Sequence, residues 1–278
     1  MGTLAERYDV WADRYGTWWG PVLAPTASRL IERFALQTDI DPPGRVLDIG
    51  TGTGVLALAA VRRWPTARVV GLDASNGMLG IARREAALAL TADQRDRLEL
   101  VAGDAARLPF ADGSFDLVVA SFMLQLVADR TASLREIRRV LCPNGWFASV
   151  TWLVADERDR FEPDEAFDAA LEDLDIDPEG QDQEPLSGDF RSAPAAAAQL
   201  RRAGFRDVRA DETQLVHHYD PATYLEFLEN YAEQDVFADL DADLRQRLRE
   251  RAAARLARLP ADAFVWRAPV VEVVARRP

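Results

Sequence analysis

Short apolar runs alternate with helix-forming segments through the middle of the chain. Between residues 45 and 152, five apolar runs of strand length are separated by longer stretches with helical spacing. Neighbouring parallel strands need a crossover of about a dozen residues or more, which is most often a helix. The alternation therefore predicts an α/β fold with a doubly wound, mostly parallel sheet covered by helices on both faces.

The sheet is expected to be seven-stranded and Rossmann-like. The predicted strands are residues 45–49, 67–72, 98–102, 115–122, 146–152, 208–218 and 264–275. The predicted helices are residues 54–64, 75–90, 129–141, 164–174 and 195–203, with two more in 221–259 and an N-terminal helical segment. The fourth run is apolar apart from Asp116 and Ser121, as expected for a central strand buried on both faces.

The composition excludes several kinds of partner. With a net charge of −13 and a pI near 4.7, the chain is expected to repel nucleic acid and anionic membranes, because both are bound mainly through basic side chains. The single cysteine, Cys142, cannot form an intrachain disulfide, and no Cys/His cluster has the spacing of a metal site. We therefore expect no bound metal. Since there is no signal-peptide pattern and no apolar stretch of membrane-spanning length, we expect a cytoplasmic protein.

A glycine-rich turn follows the first predicted strand. Gly50, Gly52 and Gly54 lie just after Asp48, and glycines at such a turn let backbone N–H groups approach a ligand closely. Val55 stands where the dinucleotide-binding fingerprint has its third glycine, so a dehydrogenase is disfavoured but stays an alternative. A phosphate-binding P-loop is not expected, because the chain contains no lysine.

Two acidic residues follow the next two predicted strands. Asp73 closes the second strand, where a carboxylate can accept hydrogen bonds from both hydroxyls of a ribose. Asp104 follows the third strand, where it could accept a hydrogen bond from an adenine amino group. Either acid alone could be a solvated or helix-capping carboxylate, but the carboxyl ends of parallel strands meet at one edge of a sheet. Together with the glycine turn, the two acids predict one nucleoside-binding crevice.

These motifs resemble those of class I S-adenosylmethionine (SAM)-dependent methyltransferases, in the branch that includes the ubiquinone and menaquinone biosynthesis enzymes. The matching segments are residues 46–54 (VLDIGTGTG), 71–75 (GLDAS), 103–110 (GDAARLPF), 112–116 (DGSFD) and 141–146 (LCPNGW). The resemblance implies SAM as the cofactor. It also implies methyl transfer to a small-molecule acceptor, such as a quinone, a phenol or another secondary metabolite.

The resemblance further implies which residues bind the cofactor. The glycine turn would face the methionine part of SAM, with its preceding aspartate near the amino group. The acid after the second strand would hold the ribose, the residues after it would pack on adenine, and the acid after the third strand would read the adenine edge. The end of the fourth strand would lie near the methyl group. The implied residues are Asp48, Gly50, Thr51, Gly52, Gly54, Asp73, Ala74, Met78, Asp104, Ala105, Ser121 and Phe122.

One departure from the family pattern concerns the catalytic base. Members of this branch often carry one or two histidines shortly after the fourth strand, whereas this chain has Gln125 and Leu126 there. Methyl transfer from a sulfonium needs a base only when the acceptor is a neutral hydroxyl or an unactivated carbon acid. The only histidines, His217 and His218, are the candidate bases, with a structural role as the alternative. Adjacent residues of a strand point to opposite faces, so the two candidates are not equivalent.

The expected organisation has four parts. They are an N-terminal helical lid or cap (1–44), a SAM-binding core (45–152), an acidic insertion that fits a substrate lid (153–194), and a part that completes the sheet (195–278) with a helical insertion at 221–259.

Several aromatic residues of the N-terminal segment fall mostly on one helical face. Tyr8, Trp11, Tyr15, Trp18 and Trp19 either pack this segment onto the core or line a substrate pocket. In the second case Tyr8, Trp11, Tyr15 and Trp18 are the candidate substrate-binding residues. A SAM-binding protein without transferase activity and a dinucleotide-dependent oxidoreductase are the alternative functions.

Overall fold

The computed structural model describes residues 3–37, 41–156, 160–177 and 186–278. It contains seven strands: β1 (Arg45–Ile49), β2 (Arg68–Asp73), β3 (Leu98–Ala102), β4 (Phe115–Ser121), β5 (Leu141–Trp152), β6 (Arg206–His218) and β7 (Val265–Arg276). They form one sheet in the order β3-β2-β1-β4-β5-β7-β6. The strands from β1 to β5 pair in parallel, and β7 runs antiparallel to β5. The predicted doubly wound, mostly parallel sheet is therefore confirmed.

Helices alternate with these strands. They are α1 (Leu4–Arg14), α2 (Gly20–Gln37), α3 (Val55–Arg63), α4 (Asn76–Ala89), α5 (Ala92–Arg95), α6 (Arg130–Val140), α7 (Glu162–Glu172), α8 (Ala193–Arg202), α9 (Pro221–Phe227), α10 (Gln234–Asp239) and α11 (Ala242–Leu256). Two π-helices, Tyr15–Trp19 and Leu228–Ala232, and a 3₁₀-helix, Ala261–Phe264, complete the set among the described residues.

Two predicted segments differ in detail. The fifth strand begins at Leu141 and not at residue 146, because Leu141 already pairs with Phe115 across a register shift in β4. The predicted turn at Pro143–Gly145 therefore lies inside the strand as an irregularity, with Asn144 at a positive φ of 66°. Residues 221–259 contain three α-helices and a π-helix where two helices were predicted.

The chain divides into two compact units. The first comprises Met1–Val154, Glu184–Thr213 and Pro269–Pro278, and the second Ala155–Gln183 and Gln214–Ala268. The core of the first is built from buried residues of the sheet and its covering helices, such as Leu47, Phe115 and Phe147. Residues 157–159 and 178–185 of the predicted lid lie outside the described residues, and the predicted four-part division stays a prediction.

The second unit has an aromatic core of its own. Its buried members are Phe167, Tyr224, Phe227, Phe237 and Phe264. The Tyr224 hydroxyl donates a hydrogen bond to a carboxylate oxygen of Asp164. Within the part of the chain that the structure describes, no helix is long and apolar enough to cross a membrane.

An ion pair joins α2 to the sheet in the first unit. Arg33 of α2 donates to a carboxylate oxygen of Glu272 on β7, and Glu272 is only 5% exposed. The second carboxylate oxygen of Glu272 is buried and has no hydrogen-bond partner among the described residues. Burial raises the pKa of Glu272, and the positive charge of Arg33 opposes that shift.

Removing the arginine is expected to destabilise the first unit. Arg33→Met removes the ion-pair partner of the buried Glu272 carboxylate and should lower the free energy of unfolding by about 3 kcal/mol. Because two apolar side chains need no pairing, the double variant Arg33→Met with Glu272→Met should recover most of that loss. Urea unfolding at neutral pH measures both effects. A single variant as stable as the wild type would show that the pair contributes nothing.

Candidate functional site

The glycine turn joins β1 to α3 at the carboxyl edge of the sheet. Gly50, Gly52 and Gly54 all have positive φ, at 67°, 52° and 90°. The backbone N–H groups of Gly50 and Thr51 both donate to the Leu72 carbonyl at the end of β2, at 2.8 and 2.9 Å. Residues with a Cβ are strained at such φ values, so the conformation of the turn itself requires the alternating glycines.

The three glycines differ in what surrounds them. A Cβ at Gly50 would lie 2.4 Å from Met123 Cγ, and a Cβ at Gly54 would lie 2.9 Å from Leu58 Cδ1, so packing excludes side chains there. A Cβ at Gly52 would meet only the Gly50 carbonyl, at 4.0 Å. Gly52 is therefore the glycine of the turn with open space beside its α-carbon, as a ligand-facing position requires.

Asp48 supports the turn from the end of β1. Its side chain is 1% exposed, and one carboxylate oxygen accepts hydrogen bonds from the Thr51 hydroxyl at 2.6 Å and the Ala57 N–H at 3.0 Å. The other oxygen is buried without a hydrogen-bond partner in the described residues. Burial raises the pKa of Asp48 to about 7 from 3.8, partly offset by these hydrogen bonds. The unpaired oxygen leaves Asp48 able to accept a further hydrogen bond from a cationic donor.

The raised pKa of Asp48 predicts a pH-dependent stability. Between pH 3.8 and about 7 the folded chain holds a proton that the unfolded chain releases, so the free energy of unfolding falls as pH rises through this window. The loss attributable to Asp48 is at most about 4 kcal/mol. Asp48→Asn should remove it. We expect urea unfolding at pH 4.5 and pH 8 to show the variant gaining stability relative to the wild type at the higher pH. Parallel pH profiles would contradict the assignment.

Asp73 connects the end of β2 to the glycine turn. One of its carboxylate oxygens accepts from the Gly52 N–H at 2.8 Å, and the other accepts from the Ser75 N–H at 2.9 Å. Burial raises its pKa, while these backbone donors lower it. Each oxygen keeps a further lone pair, so the half-buried carboxylate can still accept hydrogen bonds from a pair of hydroxyls.

Asp104 follows β3, the strand that pairs with β2. It is exposed, and one carboxylate oxygen accepts from the Ala106 N–H at 2.8 Å, which fixes a local turn. The preceding Gly103 donates its N–H to the Asp73 carbonyl at 2.9 Å. The structure therefore brings the turns after β1, β2 and β3 together at one edge, as the sequence predicts.

Helix α1 packs on α4 beside this edge. Asp9 accepts hydrogen bonds from the Ser75 hydroxyl at 2.6 Å and the Gly77 N–H at 2.8 Å. Tyr8 packs with Met78 and Ile81, and its pKa is raised to about 12 by burial and then by the charge of Asp73. Asp9 thus attaches the N-terminal helix to the segment that follows Asp73, a contact that no sequence pattern in this chain indicates.

The predicted substrate-binding aromatics occupy two environments. Tyr8 and Tyr15 form an edge-to-face pair with centroids 5.9 Å apart, against the buried Met78 of α4. Trp11 and Trp18 are half-buried. Tyr8 and Tyr15 therefore lie on the side of α4, and the substrate-binding role of all four residues stays a prediction.

The first π-helix, Tyr15–Trp19, lies over the glycine turn. A Cβ at Gly16 would be 3.1 Å from Ile81 and 3.9 Å from Thr53, and one at Gly20 would be 3.8 Å from the Thr53 hydroxyl. π-Helical turns are rare and occur frequently at functional sites. The last residue of this turn, Trp19, has its ring centroid 6.3 Å from that of Trp152 at the end of β5.

An aromatic wall stands where β4 and β5 end, formed by Trp19, Phe122 and Trp152. The rings of Phe122 and Trp152 lie 4.5 Å apart. Phe122 is 6% exposed and adopts a φ of 50°, a left-handed conformation that a bulky residue rarely takes. Ser121, next to it, is half-buried. Sequence reasoning identified Phe122 but missed Trp152, whose only signal is that β5 neighbours β4 in the predicted sheet.

The two histidines belong to the second unit. His217 is half-buried, its ring packs edge-on against Tyr219 with centroids 4.4 Å apart, and burial lowers its pKa. His218 is exposed. The two side chains therefore differ in environment, as adjacent residues of a strand should. Their role as bases stays a prediction.

Comparison with known proteins identifies the family. The sequence model for the methyltransferase domain matches residues 47–149. The malonyl-[acyl-carrier protein] O-methyltransferase of Geobacter sulfurreducens is 35% identical over 205 residues, which cover 73% of this chain and 72% of that protein. The demethylmenaquinone methyltransferase of Beutenbergia cavernae is 34% identical over 212 residues, covering 74% and 80%. Other demethylmenaquinone methyltransferases match over 41 to 57% of their length.

A solved structure supports the same fold. The YcgJ protein of Bacillus subtilis superposes with a TM-score of 0.58 at 18% identity, covering 90% of this chain and 98% of that one. At this identity the likeness concerns the fold alone, and the sequence relatives carry the family assignment. The chain belongs to the class I SAM-dependent methyltransferases, in the branch that includes the demethylmenaquinone methyltransferases.

Proposed function

We propose that this chain transfers the methyl group of SAM to a flat, largely apolar small molecule, such as a quinol or a phenol. The observation that carries the proposal is the open space beside Gly52. The N–H of Gly52 donates to Asp73, Asp48 supports the same turn through Thr51 and Ala57, and the aromatic wall stands at the end of β4. This arrangement offers an acidic, backbone-lined cradle for the donor next to an apolar surface for the acceptor.

The cradle suits the polar parts of SAM. The unpaired oxygen of Asp48 would accept from the ammonium group, while the backbone from Gly50 to Gly54 would follow the methionine part. Asp73 would accept from the two ribose hydroxyls. The buried Met78 and the exposed Ala74 would contact adenine on one side, beyond the ribose.

The remaining predicted contacts lie at the two ends of the cradle. Asp104 and the backbone of Ala105 would read the adenine edge after β3, where Asp104 is exposed to solvent. At the opposite end, Ser121 and Phe122 would lie beside the sulfonium and its methyl group. SAM would thus extend along the carboxyl edge of the sheet from β3 to β4.

The chemistry needs positioning more than side-chain reactivity. An electron pair of the acceptor attacks the methyl carbon, the carbon–sulfur bond breaks with its electrons passing to sulfur, and S-adenosylhomocysteine (SAH) leaves. Holding the two reactants in line and excluding water supplies much of the rate enhancement. If the acceptor atom is a neutral hydroxyl oxygen or a ring carbon, it must also lose a proton to a base, and His217 and His218 remain the histidine candidates.

The aromatic wall supports a choice between the acceptors that the relatives' names suggest. One relative is named for a malonyl group on an acyl-carrier protein, and the other for demethylmenaquinone. A surface of two tryptophans and a phenylalanine suits a flat ring, since aromatic groups stack on one another, and it carries no positive charge to pair with the free carboxylate of a malonyl thioester. We therefore favour the ring-containing acceptor for this chain.

Transfer of a radioactive methyl group tests the proposal. The purified chain is incubated with methyl-labelled SAM and separate acceptors: a naphthoquinol, a simple phenol, and a malonyl thioester. The expected result is labelled product with a ring-containing acceptor. Label only on the malonyl thioester would overturn the acceptor class. SAH binding without label on any acceptor or in cell extract would identify a SAM-binding protein without transferase activity.

A further inference from the structure

Gln125 is a buried polar residue in the loop after β4, three positions beyond Phe122. It is 7% exposed. Its amide nitrogen donates to the Phe122 carbonyl at 2.6 Å, and its amide oxygen accepts from the Thr151 hydroxyl at 2.5 Å. The carbonyl can only accept a hydrogen bond, so the amide orientation is fixed by its partners. One side chain thus connects the loop after β4 to the last two residues of β5.

This bridge holds the two rings of the aromatic wall that lie closest together. Phe122 follows β4 directly and has a left-handed φ of 50°. Its carbonyl accepts the hydrogen bond from the Gln125 amide nitrogen. Its N–H donates to Val150 of β5 at 2.8 Å. Thr151 immediately precedes Trp152, whose ring lies 4.5 Å from that of Phe122. The Gln125 bridge therefore joins the backbone of Phe122 to the residue before Trp152, in addition to the strand pairing that holds Trp152 beside β7.

The same loop is fastened from its other side. The main-chain carbonyl of Gln125 accepts from the Gly188 N–H at 3.0 Å, and that of Val127 accepts from Ser187 at 2.9 Å. The buried Arg130 donates to the Leu124 carbonyl at 2.9 Å. These contacts fix the backbone of the loop on which the Gln125 side chain stands.

An amide at this place cannot accept a proton as a histidine would. Gln125 stands where the branch often has histidine, but its side chain does not titrate in the physiological range, and both of its polar atoms are occupied. A role as a base is therefore excluded, and the two hydrogen bonds of the buried side chain point to a geometric contribution. We propose that Gln125, through its bridge to Thr151, is a positioning residue that sets Phe122 and Trp152 against the reacting methyl group.

This proposal rests on the proposed function, since it assigns the methyl group to the Phe122 end of the cradle. Three variants isolate the bridge. Gln125→Met keeps the length of the side chain and removes both hydrogen bonds. Thr151→Val keeps the shape of the side chain and removes the hydroxyl, whereas Thr151→Ser retains a hydroxyl donor and serves as the matched control.

The kinetic readout is the division of the effect between kcat and binding. In Gln125→Met and Thr151→Val, kcat should fall about tenfold, as expected when two reactants are slightly misplaced. The affinity for SAH, measured by calorimetry, should stay within about twofold in all three variants, and Thr151→Ser should keep nearly the wild-type kcat. Unchanged kcat with lower thermal stability and weaker SAH binding would show a purely structural role and overturn the proposal.

A second readout needs no turnover. SAM labelled with ¹³C at its methyl group is bound to each protein, and the chemical shift of that methyl is recorded. Because aromatic rings shift the resonances of nearby nuclei, the bound methyl should move towards its free value in Gln125→Met and Thr151→Val but not in Thr151→Ser. An identical shift in all four proteins would overturn the positioning role. A wild type that binds SAH but methylates nothing would instead refute the proposed function, leaving this readout to decide on Gln125.

Discussion

Replacing Gly52 with alanine is expected to weaken SAH binding about 100-fold, or about 2.7 kcal/mol, while the fold stays intact. A Cβ at this position meets no protein atom closer than 4.0 Å, so nothing in the apo chain opposes it sterically. It would instead occupy the space that is proposed for the cofactor. The left-handed φ of 52° should add a stability cost of about 1 to 2 kcal/mol. Calorimetric titration with SAH and urea unfolding measure the two effects separately.

Gly113 provides the matched control for this prediction. It has a similar φ of 65°, and a Cβ there would lie no closer than 3.8 Å to other atoms. It precedes β4, at the opposite end of that strand from Phe122. Gly113→Ala should therefore cost about the same stability, with SAH affinity within about twofold of the wild type. Equal loss of SAH affinity in the two variants would mean that strain, and not occupation of the ligand space, explains the Gly52 result.

Replacing Asp73 with asparagine should also lower the affinity for SAH about 100-fold. The carboxylate receives N–H donors from Gly52 and Ser75 and is assigned to both ribose hydroxyls. In asparagine one of the two carboxylate oxygens is replaced by an NH₂ group, which only donates. That NH₂ group must then face another donor, either a backbone N–H or a ribose hydroxyl, so one hydrogen bond is lost. Hydrogen bonds to a charged group contribute about 1.5 to 3 kcal/mol each, and loss of one such bond accounts for the expected change.

Asp104→Asn is the comparison for this carboxylate-to-amide change. Asp104 is exposed, and an asparagine oxygen can still accept from the Ala106 N–H. We expect its affinity for SAH to fall no more than about fivefold, as for a solvent-exposed hydrogen bond. Calorimetry on both variants at one pH gives the ratio. An Asp73→Asn variant that binds SAH as tightly as the wild type would contradict the assignment of the ribose hydroxyls to Asp73.

The cofactor half of the site was predictable because it is local in sequence. The glycine turn, its preceding Asp48, and Asp73 each follow a strand that the apolar runs identify, and parallel strands bring their carboxyl ends to one edge. The left-handed backbone at Gly50 and Gly52 follows from residue type alone. These features depend on a few residues each, and the structure has them where the sequence predicts.

The side proposed for the acceptor was not predictable, because it depends on contacts between distant segments. Trp19 and Trp152 are 133 positions apart (152 minus 19), and they meet where the π-helix Tyr15–Trp19 ends. Asp9 reaches Ser75 through the packing of α1 on α4, which no periodicity specifies. The bridge from Gln125 to Thr151 requires that β4 and β5 pair as neighbours in the sheet. It also requires a left-handed φ at Phe122, which a bulky residue rarely adopts.

Calorimetric titration of the wild-type chain with SAH, and separately with NAD, tests the central claim most directly. The claim is that the crevice at Gly52 and Asp73 holds the methyl donor. We predict one SAH site per chain, no heat of binding with NAD, and loss of the SAH signal in Gly52→Ala under conditions where Gly113→Ala retains it. Binding of NAD without binding of SAH, or SAH binding that Gly52→Ala leaves unchanged, would contradict the account.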